Sequence, residues 1–369
     1  MFLSLHNLVK ICPNLLYVRV IEGVVEMGLF EPFHLKGLET KNRIVMVPMC
    51  MYMAESDGKS TQWHQIHYGT RAFGGCGLII QEATAVEKRG RLSDNDLGIW
   101  SDDHIERLTN LVNTVHYMGS KMAVQIAHGG RKSWVGGEQI VAPSEIAFAE
   151  GDAIPKALTI TEVMEIVESF RLGAKRAVLA GYDAIELHGA HGYLIHQFLS
   201  PYTNKRNDEF GGSYENRISF ALKVISAVKE EMPDKMPLLI RISANEFLEN
   251  GYTPEEMLEM AKEFKKAGVD LINVSTGGAS PKPVASWPGY QIPYAEDIKR
   301  AVNIPVIGCG LITTGAIAEE AVRNGRVDLV GIGRALLSDP YWPLTAAKEL
   351  SIIGVVPEPY KRGYPKQMA

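Results

Sequence analysis

The sequence predicts an α/β protein of the (β/α)8 barrel class, formed as one domain over residues 27–369. Three observations predict it: eight apolar runs follow one another, segments of helical period separate them, and the runs do not alternate apolar with polar positions. Parallel strands buried on both faces show this lack of alternation. Eight strand–helix units in succession favour a closed barrel over the alternative, an open doubly wound sheet.

The strands and helices follow in order along the chain. The eight predicted strands are rich in Val, Ile and Leu and cover residues 42–49, 77–84, 122–128, 183–190, 237–244, 269–276, 304–310 and 327–333. The clearest amphipathic helices cover residues 161–180, 214–231, 254–267 and 313–324. Thr161 and Glu162 have the composition of a helix cap. Pro254 occupies a first-turn position, and Gly268 follows that helix's end.

A long segment separates the third predicted strand from the next helix. It runs from His128 to Thr161 and contains Pro143, Pro155 and several glycines. An excursion of this length on the carboxyl-terminal face of a barrel usually covers the site formed there. We therefore expect an insertion after the third strand that caps the site.

Composition limits the possible partners and the compartment. The net charge of −5 disfavours nucleic acids and anionic membranes, since both require clustered Lys and Arg. The four cysteines are scattered without a CxxC pair, which favours a reducing cytoplasm. Residues 1–26 are a poor signal peptide and too polar to span a membrane, so we expect a poorly ordered extension outside the domain.

Three side chains capable of catalysis follow the fourth predicted strand. His188, His191 and Tyr193 leave this strand together, among glycines. Two neutral imidazoles can donate N–H groups to one substrate oxygen, while a phenol can deliver a proton. Alternatively, the His-x-x-His pair ligates a metal ion with His128 or Glu82, which predicts a metal-dependent barrel hydrolase.

Glycines follow the seventh and eighth predicted strands. Gly310 and Gly333 let backbone N–H groups approach a ligand, and Arg334 adds a cationic side chain. Barrels commonly bind phosphate at these two loops. The alternative is that the glycines only form tight turns.

Other polar residues lie within or directly after strands. Arg241 in the fifth strand and Gln125 in the third suit a flat polar ring system; alternatively, Arg241 forms a structural ion pair with Glu186. Cys50 is either a small buried hydrophobe or a thiol that tunes a redox cofactor. We expect Tyr52 to line the substrate pocket.

Four motifs carry a family resemblance: residues 42–52, 125–132, 188–201 and 204–217. In this order they resemble the old yellow enzyme family of FMN-dependent ene-reductases. The similarity extends from about residue 28 to residue 364. Cys50 and the compact length are similar to the thermophilic-like bacterial subclass. The family has the FMN-binding (β/α)8 barrel fold.

The resemblance implies roles for individual residues. The implied FMN contacts are Val47, Pro48, Met49, Cys50, Ala83, Gln125 and Arg241 for the ring and ribityl chain, and Gly310, Gly333 and Arg334 for the phosphate. His188 and His191 are implied to bind the substrate oxygen, which Tyr52 flanks. Tyr193 is implied to protonate Cα. Arg362, in the tail 360–364, is implied to reach a neighbouring subunit's site, which makes the protein a homodimer or homotetramer.

The implied reaction is the reduction of an activated C=C bond. NADPH or NADH reduces FMN, the reduced flavin transfers hydride to Cβ, and Tyr193 protonates Cα. The implied substrates are enones, enals, maleimides and nitro compounds. Two departures, Gly189 where relatives commonly have alanine and Val47 where they have serine or alanine, should change the flavin environment more than the reaction class.

Overall fold

The computed structural model describes residues 28–366 and has the predicted closed parallel barrel. The predicted extension, residues 1–26, lies outside the described residues. The eight barrel strands are β1 Ile44–Met46, β2 Leu78–Ala85, β3 Lys121–Ala127, β4 Ala184–Gly189, β5 Leu238–Ser243, β6 Leu271–Ser275, β7 Val306–Gly308 and β8 Leu329–Ile332. Each strand pairs in parallel with the next, and β8 pairs with β1, which closes the barrel.

Helices surround the barrel and connect its strands. They are α1 Gln62–Phe73, α2 Ile105–Tyr117, α3 Ile160–Ala180, α4 Leu194–Leu199, α5 Tyr214–Glu231, α6 Pro254–Ala267, α7 Ile292–Val302, α8 Gly315–Arg323, α9 Arg334–Ser338 and α10 Trp342–Glu349. The predicted bounds of α5 and α6 agree with the structure. The predicted cap of α3 was wrong: Thr159 caps it and accepts from the Glu162 N–H, while the Glu162 carboxylate accepts from the Thr159 N–H at 2.8 Å.

The first strand is shorter than the sequence pattern predicts. β1 ends at Met46, although Val47 still donates its N–H to the Ile332 carbonyl at 3.2 Å. The next residue, Pro48, has no N–H to donate to a ladder, so regular pairing stops there. The chain beyond it is free to turn across the top of the barrel.

The barrel interior changes from apolar to polar along its axis. The lower layer is apolar and consists of Val45, Leu78, Ile80, Ala123, Ala184, Leu239, Leu271, Ile307 and Leu329. A hairpin formed by Phe33–Leu35 and Leu38–Thr40 packs on this layer through Phe33 and Leu38. Seven of the eight barrel strands are buried along their whole length, and β3 is buried from its second residue onward, as the lack of alternation predicts.

A polar layer lies above the apolar one. The buried Glu186 carboxylate accepts a hydrogen bond from the Gln125 amide and another from the Asn273 amide, both at 2.7 Å. Burial raises the pKa of Glu186 to about 6, although the charge of Arg241 opposes this effect. The functional side chains stand directly above this layer, at the carboxyl-terminal ends of the strands.

The predicted insertion after β3 is present. It contains two short parallel strands, Val141–Ala142 and Lys156–Ala157. It packs against the residues that follow β3: Arg131 donates to the Ala147 carbonyl at 3.1 Å, and the Lys132 ammonium lies 4.4 Å from the centre of the Phe148 ring. Within residues 28–366, no helix is long and apolar enough to cross a membrane.

Candidate active site

A cleft of about 430 Å³ opens at the carboxyl-terminal ends of the barrel strands. Most of the site residues predicted from the sequence line it: Val47, Pro48, Met49, Cys50, Tyr52, Gln125, His188, His191, Tyr193, Arg241, Gly310, Gly333 and Arg334. These positions span nearly 290 residues of sequence, and the closed barrel brings them together because strand ends converge. A larger cleft of about 590 Å³ lies beside Lys41 and Gly75, at the opposite end of β1 and β2, where barrels do not carry their chemistry.

Two predicted site residues do not line this cleft. Ala83 is buried just behind it, where its backbone forms a hydrogen bond with the Cys50 thiol. Arg362 is exposed in the tail, within the short helix Glu358–Gly363. The insertion after β3 does not line the cleft either; it packs against Arg131 and Lys132.

The two histidines and the tyrosine form a compact group. The His188 and His191 rings are nearly perpendicular, with centres 5.3 Å apart, and the Tyr193 ring lies edge-on to His188 at 4.6 Å. Nδ1 of His188 accepts from the Ala190 N–H at 3.3 Å, which leaves the ring proton on Nε2. The other ring, His191, is anchored through Nε2 to the Ser275 hydroxyl at 2.8 Å.

The backbone of His191 adopts an unusual conformation. Its φ of +58° is in the left-handed region, which costs a residue with a side chain about 1–2 kcal/mol. Three contacts hold it there: its N–H donates to Ser243 Oγ at 3.0 Å, its carbonyl accepts from Lys132 at 3.0 Å, and Gly278 packs against its Cα. The next residue, Gly192, donates its N–H to the buried His196 ring.

Burial sets the protonation state of this group. It holds the pKa values of His188 and His191 well below the usual range, and the charge of Arg241 lowers them further. Both rings are therefore neutral at pH 7, each with one N–H to donate. Burial also raises the pKa of the Tyr193 hydroxyl, which keeps its proton. The group combines two neutral donors with an acid.

Lys132 stands beside these side chains. Its ammonium lies 4.8 Å from the centre of the Tyr193 ring, and it donates to the His191 carbonyl. Burial lowers its pKa to about 8. The sequence placed Lys132 near a strand end but gave no signal for this contact, because nothing local links residue 132 to residue 191.

Cys50 and Tyr52 line the cleft from the loop after β1. Burial raises the pKa of the Cys50 thiol, so the sulfur is a neutral thiol at pH 7. Tyr52 is half exposed, and burial of its inner part raises its pKa to about 12. Neither side chain has the lowered pKa of a nucleophile.

Arg241 and Gln125 enter the cleft from the barrel interior. Arg241 is 7% exposed and donates to the Pro48 carbonyl at 3.3 Å, while its Nε has no hydrogen-bond partner within residues 28–366. It forms no ion pair with Glu186 in this part of the chain, since the Glu186 oxygens accept from amides instead. A buried guanidinium with an unsatisfied N–H is suited to a polar ligand.

Several residues lining the cleft were not assigned a role from the sequence. They include Ser275, Thr276, Tyr290, Gln291 and Leu311. Gln291 precedes α7 and donates to Thr276 Oγ1 at 2.9 Å and to Ser275 Oγ at 3.2 Å. Ser275 and Thr276 could have been found as the last two residues of the sixth predicted strand, but no motif points to Gln291.

Comparison with known sequences identifies the family. The profile of the NADH:flavin oxidoreductase / NADH oxidase family matches residues 28–352. The chain belongs to this family. It is 50% identical to the NADPH dehydrogenase of Geobacillus sp. (strain WCH70) over 341 residues, which cover 92% of this chain and 99% of that one.

Solved structures of related flavin enzymes share the fold. Morphinone reductase is 30% identical with a TM-score of 0.78, over 89% of this chain and 91% of that one. The old yellow enzyme homologue from Zymomonas mobilis is 27% identical with a TM-score of 0.77, over 87% and 93%. 2-Naphthoyl-CoA reductase is 26% identical with a TM-score of 0.83; 87% of this chain matches, but only 52% of that longer one.

The family membership confirms the resemblance seen in the sequence. This chain is an FMN-dependent oxidoreductase of the old yellow enzyme type, with a nicotinamide nucleotide as its reductant. The metal-dependent hydrolase is not supported. Within residues 28–366, no three His, Cys, Asp or Glu side chains are grouped so that they could hold a metal ion.

Proposed function

We propose that this flavin oxidoreductase is an ene-reductase, which reduces the C=C bond of α,β-unsaturated carbonyl or nitro compounds. One observation carries the proposal: His188, His191 and Tyr193 place two neutral N–H donors and a protonated phenol at one end of the cleft. This set polarises an oxygen and supplies a proton, which are the two tasks an activated alkene requires.

The cleft residues suit FMN. Arg241, with its unsatisfied Nε–H, and Gln125 would hold the polar edge of the flavin ring. The segment Val47, Pro48, Met49 and Cys50, with Ala83 behind it, would flank the ring. Gly310, Gly333 and Arg334 also line the cleft and would hold the phosphate.

The side chains then act on the substrate. FMN, when bound, would supply the hydride for Cβ, with NADPH or NADH as its reductant. His188 and His191 donate N–H groups to the carbonyl or nitro oxygen, which draws electron density away from Cβ. Tyr193 gives its proton to Cα. One hydride and one proton together saturate the C=C bond.

The proposed substrates share one chemical feature. Enones, enals, maleimides and nitro compounds all present an oxygen conjugated to the alkene, and Tyr52 would contact them at the mouth of the cleft.

NADPH is the proposed reductant because the relatives carry the name NADPH dehydrogenase. We place the enzyme in the cytoplasm, acting on small molecules rather than on nucleic acid or membranes, consistent with its net charge of −5.

Quaternary structure and domain bounds complete the proposal. Arg362 is exposed in the tail, so it is free to enter a neighbouring subunit's cleft in a homodimer or homotetramer. Size determination by light scattering, with Arg362→Ala assayed for substrate KM, tests this arrangement. Residues 27–369 are proposed as one domain; limited proteolysis should remove residues 1–26 without releasing flavin.

The visible spectrum without air tests the activity directly. Flavin bands of the purified protein should bleach on addition of NADPH and return on addition of cyclohexenone. The His188→Ala, His191→Ala double variant should bleach normally but reoxidise at least about 10²–10³-fold more slowly, the loss expected for an oxyanion-binding donor. Tyr193→Phe serves as the comparison, since it removes only the acid. Near-normal enone reduction by the double variant would contradict the assigned role.

A further inference from the structure

Glu82 is a buried carboxylate near the cleft that the proposed mechanism does not use, and that the sequence suggested only as a metal ligand. It is 1% exposed and lies in β2, immediately before Ala83. The pairing of β2 with β3 shifts register between Gln81 and Thr84. A bulge of this kind redirects side chains, and bulges are common beside active sites. Here it turns Glu82 towards α1 and the loop that follows β1.

Hydrogen-bond donors surround the Glu82 carboxylate, and the Tyr52 backbone N–H is one of them. The Met51 N–H donates to Oε2 at 2.7 Å, and the Tyr68 hydroxyl donates to Oε1 at 2.9 Å. Nε2 of His64 lies 3.7 Å from Oε1. Because Nδ1 of His64 accepts from the Thr61 N–H at 3.0 Å, its ring proton is on Nε2, which faces Glu82. These donors therefore suit the ionised form of Glu82, whose carboxylate oxygens accept hydrogen bonds.

The bond to Met51 connects Glu82 to the cleft. Met51 stands between Cys50 and Tyr52, whose side chains both line the cleft. Tyr52 has a left-handed backbone with φ of +57°, so this short loop needs an external contact to hold its shape. The following residue of β2, Ala83, forms its backbone hydrogen bond with the Cys50 thiol. Two successive residues of β2 thus hold two successive residues of the loop, Cys50 and Met51.

We propose that Glu82 is a positioning residue, whose carboxylate fixes the Met51 amide and thereby sets the positions of the Cys50 thiol and the Tyr52 ring. The inference rests on the proposed function only for its effect on flavin and substrate. Its structural part, the anchoring of the loop, holds whatever the enzyme reduces.

The electrostatics make this anchor sensitive to pH. Burial raises the pKa of Glu82 to about 7, and the nearby Asp96 adds to the effect, while hydrogen bonds from Met51, Tyr68 and Tyr52 oppose it. Of the other groups around it, His64 is neutral at pH 7, because burial lowers its pKa to about 4, and Tyr68 and Cys50 keep their protons. Above pH 7 the carboxylate accepts from Met51, whereas below it the protonated acid accepts less strongly.

Hydrogen exchange of the Met51 amide in the holoenzyme tests the anchor without relying on turnover. Mass spectrometry with fragmentation reads the exchange of residues 50–53. Glu82→Gln should raise the exchange rate about tenfold or more, as expected when a charge-assisted hydrogen bond is weakened. The matched control is Asp96→Asn, since Asp96 is also buried with a raised pKa but, among residues 28–366, accepts hydrogen bonds only from Leu92 and Ser93.

Two further readouts separate the outcomes. In the wild type, Met51 protection corrected for intrinsic exchange should be greater at pH 8 than at pH 6, which needs no variant to fold. The Glu82→Gln enzyme should also show a raised enone KM and a shifted flavin absorption band, both absent in Asp96→Asn. Unchanged Met51 protection in Glu82→Gln, or equal protection at the two pH values, would overturn the inference. Normal anchoring without enone turnover would instead reject the proposed function alone.

Discussion

Gly278 packs against the backbone of His191, so an alanine there tests how closely the position of His191 controls the chemistry. A Cβ added to Gly278 would lie 2.6 Å from His191 Cα and 2.9 Å from its carbonyl carbon. Ordinary contacts begin near 3.4 Å, so the two segments must separate by about 0.8 Å. Backbone atoms cannot rotate away as side chains do, and the displacement therefore moves the His191 ring.

The expected cost falls mainly on catalysis. A displacement of this size at a group that orients the substrate reduces kcat by roughly 10²-fold. Stability also falls, because Gly278 has φ of +87°, and alanine in this region costs about 1–2 kcal/mol. The assay measures kcat for cyclohexenone at saturating NADPH, together with thermal unfolding of the same samples.

The preceding glycine is a matched control. Gly277 has φ of +71°, so alanine there carries a similar backbone penalty. Within the described part of the chain, its added Cβ would meet only the Val284 side chain, with Cγ2 at 2.7 Å and Cβ at 3.9 Å, and this half-exposed side chain can rotate. We expect Gly277→Ala to lose similar stability but less than about threefold in kcat. If the two variants lose kcat equally, the placement of His191 does not limit the reaction, and the reasoning fails.

Two other predictions test the cofactor site and acid stability. Arg241→Met should weaken FMN binding about ten- to hundredfold, since hydrogen bonds from a charged group contribute about 1.5–3 kcal/mol; fluorescence titration of flavin-free protein measures this, and an unchanged Kd would contradict the assignment. Burial alone would raise the pKa of Asp183, but His116, the Met122 N–H and Lys121 together outweigh it and lower the pKa. Folding therefore favours the carboxylate, a contribution present at neutral pH and lost as pH falls through the lowered pKa. Asp183→Asn should accordingly reduce the melting temperature at pH 7, with the difference from wild type narrowing towards pH 3.

The barrel itself was predictable because its signal is local and repeated. Each strand is an apolar run, and each helix has its own period and cap, so eight units can be counted along the chain. The prediction was wrong where a single residue decides at which position a helix begins. Thr159 rather than Thr161 caps α3 because its hydroxyl is placed to accept from the Glu162 N–H. In the sequence alone, either threonine could be the N-cap residue.

The candidate site was predictable where motifs concentrate chemistry in one segment. His188, His191 and Tyr193 fall within six residues, and the cleft brings them together as expected. The left-handed turn at His191 was not predictable, because its cause lies in Ser243, which is 52 residues away. Gln291 was missed for the same reason: only the folded chain brings it to the cleft.

The polar layer inside the barrel has a consequence for how the chain finds its strand pairing. A barrel filled only with Val, Ile and Leu would lose little if one strand slid against its neighbour, since one aliphatic residue replaces another. Glu186, tied to Gln125 on β3 and Asn273 on β6, removes that freedom. A slip of one residue turns these side chains to the opposite face and leaves a buried carboxylate without donors. The buried Glu186 carboxylate, which lies beneath the catalytic group, therefore helps to fix the strand register. It makes barrels with shifted strands less stable during folding.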